Sequence, residues 1–230
     1  MLYKDWGLAD REIEQLEAYI QSMLAYNEHT NLTRITNSKE IWIKHIYDSL
    51  WPFWQKPLGA HQSLIDIGTG AGFPGIVLKI IFPSLRLTLV ESVGKKVKFL
   101  HEVVQSLGLS EVDIIQGRAE DLGQQTKYRE QYDSATARAV AKLPVLCEYM
   151  IPFLRMGGHA YAYKATLDLS EREAGKRAAR VLGGQEELLL YDKLPEDFGE
   201  RQVVLYTKTK HTPDQYPRRV GVPEKLILGS

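Results

Sequence analysis

A short apolar run, Leu64-Ile65-Asp66-Ile67, passes directly into Gly68-Thr69-Gly70-Ala71-Gly72-Phe73-Pro74-Gly75, and no other segment constrains the fold as tightly. The apolar run has the length of a buried strand. The alternate glycines that follow allow backbone angles and close approaches that a Cβ forbids. Pro74 suits the first turn of a helix, where its missing N–H costs nothing. A strand that turns on glycines into a helix lays bare backbone against a ligand at the carboxyl end of a sheet. A phosphate loop is excluded, because no Lys-Ser or Lys-Thr pair follows the glycines. Gly70-x-Gly72-x-x-Gly75 does satisfy the dinucleotide fingerprint, and Glu91 lies 19 residues beyond Gly72, where an acidic ribose ligand is expected. That alternative is a nicotinamide-dependent oxidoreductase, yet no coherent hydride-transfer site accompanies it.

From Ser63 onward short apolar runs alternate with helical periods. Strands are expected at 64–67, 85–90, 112–116, 133–137, 159–163, 188–191 and 202–207. Helices are expected near Pro74, from about Lys95 (Val97, Leu100, Val104 and Leu107 on one face), and over 143–154 and 171–182. This alternation specifies a doubly wound α/β domain with a mostly parallel, seven-stranded sheet. Ahead of it, Asp10 can cap a helix carrying Ile13, Leu16, Ile20, Met23 and Leu24, and 39–54 forms a second amphipathic segment. The expected organisation is an N-terminal helical extension over 1–60, the main domain over 61–210 and a basic C-terminal tail over 211–230.

With 230 residues, 44% of them hydrophobic, the chain can bury a full core. No run of about 18 apolar residues could span a membrane, and Met1 to Trp6 has no apolar signal region. The single cysteine, Cys147, excludes an internal disulfide framework and a multi-thiolate zinc cluster. These features point to a cytoplasmic protein without membrane partner or bound metal. Lys+Arg and Asp+Glu both number 29, so the total charge says nothing about nucleic acid. Phosphate contacts depend on where charge sits. Between Tyr206 and Lys225 stand Lys208, Lys210, Arg218, Arg219 and Lys225 against Asp214 and Glu224. That is either a basic patch for RNA or a solvated tail.

Asp66-x-Gly68-x-Gly70-x-Gly72 resembles the first motif of the class I methyltransferases, which bind S-adenosylmethionine. The resemblance implies that Asp66 faces the methionine ammonium, that the glycines admit its backbone and the ribose, and that Glu91 accepts bonds from the ribose diol. Farther along, the chain is similar to one family, ribosomal RNA small subunit methyltransferase G (glucose-inhibited division protein B). The segments that carry this are Asn31-Leu32-Thr33, His45 to Leu50, Ile65 to Gly75, Glu91 to Lys96 with Phe99-Leu100, Gly117 to Glu120, Ala137-Arg138-Ala139-Val140-Ala141 and Tyr216 to Pro223. They span nearly the whole chain, in order.

This resemblance implies methyl transfer from S-adenosylmethionine to guanine N7 in small-subunit (16S) ribosomal RNA, free or in the 30S subunit, by a monomer. Carried over by position, Gly68, Phe73 and Ser92 contact the cofactor with Asp66, Gly70 and Glu91. Ala119 and Glu120 lie beside the adenine, and Arg138 sits on the cofactor or substrate side as a positioning residue. Lys95, Lys96, Lys164, Arg218 and Arg219 are candidates for RNA phosphates. Plainer roles stand beside these: Phe73 as core, Glu120 as a solvated strand end, Arg138 paired with a carboxylate, and Tyr161 and Tyr163 as ordinary strand residues. His45-x-x-Asp48 has the spacing of a metal pair, but two ligands make no zinc site. A hydrogen bond from the N-terminal helix to the domain explains it better. A non-catalytic RNA-binding protein on the same fold is the remaining alternative.

The chemistry implied by the family demands little of the protein. Guanine N7 carries an in-plane lone pair and needs no general base, so holding it in line with the methyl is the main task. Exocyclic amino acceptors are usually served by Asn/Asp-Pro-Pro-aromatic after the fourth strand, where this chain has Ala137-Arg138-Ala139-Val140. Cytosine C5 chemistry needs a thiol nucleophile, and Cys147 falls in an apolar helical stretch expected to be core.

Overall fold

The computed structural model describes residues 5–59, 62–139 and 141–229. Val140 of the Arg138 motif and the first four residues therefore lie outside what is described. The expected strands form β1 (Ser63–Ile67), β2 (Arg86–Glu91), β3 (Val112–Gln116), β4 (Tyr132–Arg138), β5 (Leu154–Lys164), β6 (Gly184–Lys193) and β7 (Glu200–Lys208). They make one sheet in the order β3-β2-β1-β4-β5-β7-β6, with β7 antiparallel to both neighbours. β1 and β2 are buried almost throughout, which is why they read as largely apolar runs rather than alternating patterns.

Helices cover the two faces. On one, α4 (Gly75–Ile81) and α5 (Gly94–Ser106) pack beside α1 (Asp10–Thr30) and the segment made of α2 (Ser38–Ile41), a π-helical turn over Trp42–Tyr47, and α3 (Asp48–Gln55). Tyr19, Met23, Ile46 and Trp51 enter the same cluster as Ile76, Val77, Phe99 and Leu100. The N-terminal extension thus shares its core with the sheet, each large side chain contributing about 1.5–3 kcal/mol of burial. On the other face α6 (Ala119–Leu122), α7 (Leu143–Met150) and α8 (Leu169–Val181) enclose Leu146, Cys147, Ala178 and Val204.

Several boundaries differ from the sequence reading for local reasons. The α1 helix starts at Asp10, but its cap is Ala9, whose N–H donates to Glu12 Oε2 at 2.8 Å. The helix expected over 143–154 stops at Met150, because Pro152 has no N–H to continue it. A 3-10 turn over Ile151–Phe153 follows, and Leu154 already belongs to β5.

The C-terminal segment departs most from expectation. It is no free basic tail. The Arg129 guanidinium donates to the carbonyls of Thr212 (2.7 Å) and Tyr216 (2.6 Å). Lys208 is fully buried, 3.0 Å from Glu130, which also accepts the Thr212 N–H at 2.8 Å. Arg218 grips the buried carboxylate of Glu148 through Nη2 (2.6 Å) and Nε (2.9 Å). Two of the charges that looked available for RNA, Lys208 and Arg218, are answered by carboxylates far upstream, while Lys210, Arg219 and Lys225 are exposed. Removing one partner of a buried pair strands the other charge, at a cost of about 3–5 kcal/mol. Arg218→Leu is therefore expected to lower stability by about 3 kcal/mol or more. Arg219→Leu, at an exposed position, should stay within about 0.5 kcal/mol of the parent. Urea unfolding of both variants checks the contrast.

Candidate functional site

Between β1 and β4 the sheet reverses its winding: the chain leaves β1 toward β2 on one side, while β4 leads on to β5 on the other. Ligands of open α/β sheets bind outside the strand carboxyl ends at such a point. Here the glycine turn sits there. Gly68, Gly70 and Gly72 all adopt left-handed backbone, with φ of 66°, 63° and 106°, so the turn needs glycine at all three. A side chain at Gly72 would meet Ile76 at 2.5 Å and one at Gly75 would meet Leu89 at 2.5 Å, whereas at Gly70 the nearest atom is 4.0 Å away. Gly72 and Gly75 therefore serve packing. Gly70 faces open space.

Asp66 holds this turn from beneath. Its side chain is fully buried. Oδ2 accepts from Thr69 Oγ1 (2.6 Å) and the Gly75 N–H (3.0 Å), and Oδ1 accepts from Thr136 Oγ1 (2.9 Å) on β4. Burial pushes its pKa up, opposed by these three bonds and by Arg138. Through these bonds Asp66 fixes the loop from inside. Thr69 and Thr136 escaped sequence reasoning, and only the register that sets Asp66 opposite Thr136 could have pointed to the latter. Tyr19 of α1 adds a further tie, donating to the Ala71 carbonyl at 2.6 Å.

At the end of β2, Glu91 accepts the Gly70 N–H through Oε2 (3.0 Å) and the Val93 N–H through Oε1 (2.8 Å). Ser92, Gly117, Ala119 and Glu120 then join Gly68 around one cavity at the strand ends. The cofactor candidates Gly68, Ser92, Ala119 and Glu120 are thus brought together, with Glu91 and Gly70 at the edge. Bare backbone at Gly70 beside an acidic strand end is what an adenosine-bearing cofactor requires. The solvated reading of Glu120 fails, since it is buried and accepts the Gly221 N–H at 3.0 Å. Tyr149 and Glu224, which also line this cavity, were not anticipated.

A second pocket opens at the end of β4, lined by Lys44, His45, Asp48, Arg138, Tyr163 and Arg201, among others. Ala139 turns the chain there with a φ of 56°, a costly conformation for a residue with a side chain. Arg138 Nη1 lies 3.2 Å from Asp48 Oδ2, and Nη2 lies 3.4 Å from His45 Nδ1. Arg201 Nε approaches Asp48 Oδ1 at 3.3 Å. His45 stacks on Phe73, centroids 4.5 Å apart, and the Arg138 guanidinium lies 5.3 Å from the same ring. The His45-x-x-Asp48 spacing therefore joins the N-terminal extension to the domain through Arg138, as expected. The Phe73 side chain is buried against Tyr19, His45 and Arg138, while its backbone belongs to the glycine turn. Burial first, then Arg138, pushes the His45 pKa down to about 3, so its ring is neutral at ordinary pH.

The remaining candidates divide. Lys95 is exposed and Lys96 partly so, near Glu91 at 3.9 Å. Lys164 lines the second pocket but is paired with Glu171 at 2.7 Å. Tyr161 and Tyr163 are buried; Tyr163 lines the second pocket and donates to the Ser49 carbonyl at 2.9 Å. Arg218 is committed to Glu148, and Arg219 is exposed. Cys147 is buried core, its thiol pushed up by burial to about 12, and is no nucleophile.

The family model GidB, rRNA small subunit methyltransferase G, matches residues 12–197. The Brevibacillus brevis protein "Ribosomal RNA small subunit methyltransferase G" is 43% identical over 222 residues, 96% of this chain and 93% of its own. The Leuconostoc mesenteroides protein of the same name is 45% identical over 220 residues, covering 95% and 92%. Among solved structures, the fold is similar to "M. jannaschii TYW2 in complex with AdoMet" (TM-score 0.54, 16% identity, 76% of this chain and 77% of that one). It is likewise similar to a precorrin-6y C5,15-methyltransferase from Geobacter metallireducens (TM-score 0.52, 13% identity, 70% and 87%).

The contrast among the glycines generates a test. Gly70→Ala is expected to fold with a loss of about 1–2 kcal/mol for its left-handed φ, and to bind S-adenosylmethionine at least about tenfold more weakly, a change of about 1.4 kcal/mol. Gly72→Ala, forced against Ile76 and Tyr19, is expected to lose more stability than Gly70→Ala. Calorimetric affinities and urea midpoints for the pair check both statements.

Proposed function

The chain belongs to the rRNA small subunit methyltransferase G family, and from that membership we propose that it transfers a methyl group from S-adenosylmethionine to N7 of a guanine in small-subunit ribosomal RNA. The observation that carries the reading is the adjacency of two sites on neighbouring strand ends. The glycine crevice follows β1, and the cationic pocket follows β4, paired with it through Ile67 and Ala137.

When bound, S-adenosylmethionine supplies an electrophilic methyl on a sulfonium. The chain would hold it by the backbone around Gly68 and Gly70, the Glu91 carboxylate and the turn from Gly117 to Glu120. Asp66 keeps that backbone in place without touching the ligand. In the second pocket, Arg138 is fixed by Asp48, and Arg201 stands on the other carboxylate oxygen. Fixed guanidinium donors suit the O6 acceptor that neighbours N7 in guanine, where adenine presents an amino donor instead. The lone pair of N7 attacks without losing a proton, so the residues act by orientation rather than by acid–base catalysis. Lys95, Lys96 and Arg219 are the cations proposed to meet RNA phosphates; Lys164 and Arg218 have structural partners. No helix among the described residues is long and apolar enough to cross a membrane.

Methyl-labelled cofactor incubated with 30S subunits or free rRNA, followed by mapping of the labelled base, tests the reaction. Label at guanine N7 is the expected result. Label on an exocyclic amine, or NAD binding in place of S-adenosylmethionine, would overturn the reading, and no transfer would favour a non-catalytic binder. A pH profile follows from His45. Its pKa, lowered to about 3, keeps it uncharged well above that value, so single-turnover rates should stay nearly flat from about pH 6.5 to 8.5. A steep rise across that window, removed by His45→Gln, would contradict the mechanism.

A further inference from the structure

The cavity at the ends of β1 to β3 is not completed by the sheet and its turns. Its remaining wall comes from Tyr149 on α7 and from Glu224 on a short C-terminal turn, α9 (Val222–Lys225). We propose that this C-terminal segment is part of the cofactor site, and that Glu224 is the carboxylate that accepts the adenine amino group of S-adenosylmethionine. The proposal rests on the cofactor reading given above and adds to it a residue near the end of the chain.

Three fastenings bring Glu224 to the cavity. The Arg218 guanidinium and its N–H (2.7 Å) both bind Glu148, which is wholly buried on α7. Gly221, at a φ of 77°, turns the chain and donates its N–H to Glu120 Oε1 at 3.0 Å. Tyr149 donates its hydroxyl to Glu224 Oε1 at 3.3 Å. A solvated tail would make none of these contacts. They also give Arg218 a role other than binding RNA: it anchors the segment that carries the carboxylate six residues on.

The chemistry of the ligand edge singles out a carboxylate. Adenine offers an amino donor beside the N1 acceptor, and its 6-oxo counterpart, hypoxanthine, offers an acceptor and an N1–H in those places. A carboxylate has about four acceptor positions. On Glu224 the Tyr149 hydroxyl takes one, leaving others for the amino group. Glu120 is less suited, because Gly221 occupies one of its oxygens and the residue is buried. Its part is to hold the C-terminal turn in register with the cavity.

Calorimetry with S-adenosylhomocysteine and S-inosylhomocysteine, on the full chain, tests this without relying on turnover. The wild-type protein should prefer the adenosyl compound by about tenfold or more. Glu224→Ala should weaken the adenosyl compound by about tenfold. Glu224→Gln, whose amide both donates and accepts, should bring the two affinities within about threefold of each other. Glu224 is exposed, so unchanged urea midpoints are expected for both variants. Wild-type affinities in Glu224→Ala, or a preference kept in Glu224→Gln but lost in Glu120→Gln, would overturn the proposal while leaving the cofactor reading intact. A wild-type protein that binds neither compound would overturn both.

Discussion

One buried carboxylate, Asp66, ties together three pieces of chain that would otherwise have no reason to meet. Taking a carboxylate out of water costs several kcal/mol, and here three hydrogen bonds answer it, each to a charged acceptor and worth about 1.5–3 kcal/mol. Their donors come from the glycine turn (Thr69), the start of α4 (Gly75) and the neighbouring strand (Thr136). Because these bonds converge, the turn cannot relax out of its left-handed conformations without stranding the charge. The open face at Gly70, the position of Glu91 and the adjacency of the two pockets all follow from a turn held in that way.

The N-terminal extension matters for the same reason. It contributes Tyr19 to the turn, His45 to the stack on Phe73 and Asp48 to the clamp on Arg138. Fixing Arg138 with a carboxylate while leaving His45 neutral produces a pocket with directed positive charge and no proton acceptor tuned to neutrality. Such a pocket orients an acceptor that already carries a free lone pair. It would serve poorly where a proton had to leave first.

The strands, the crevice and the family were legible because they depend on local pattern: apolar runs, glycines in the turn and an acidic residue at the end of β2. What sequence reading missed depends on pairs far apart in the chain. Glu148 and Arg218 are 70 positions apart, as are Asp66 and Thr136. Lys208 and Arg218 look like a basic patch until Glu130 and Glu148 are placed against them. The motif located Asp66 but not the three partners, Thr69, Gly75 and Thr136, through which its carboxylate holds the loop.

The central claim is that Asp66 organises the turn before any cofactor arrives. Hydrogen exchange on Asp66→Asn without ligand measures it directly, because an amide cannot accept from Thr69, Gly75 and Thr136 together. Loss of protection at Gly72, Phe73 and Gly75 in the ligand-free protein, with weaker S-adenosylmethionine binding, is the expected result. Unchanged protection across the turn while cofactor affinity collapses would contradict it and return Asp66 to direct contact with the ligand.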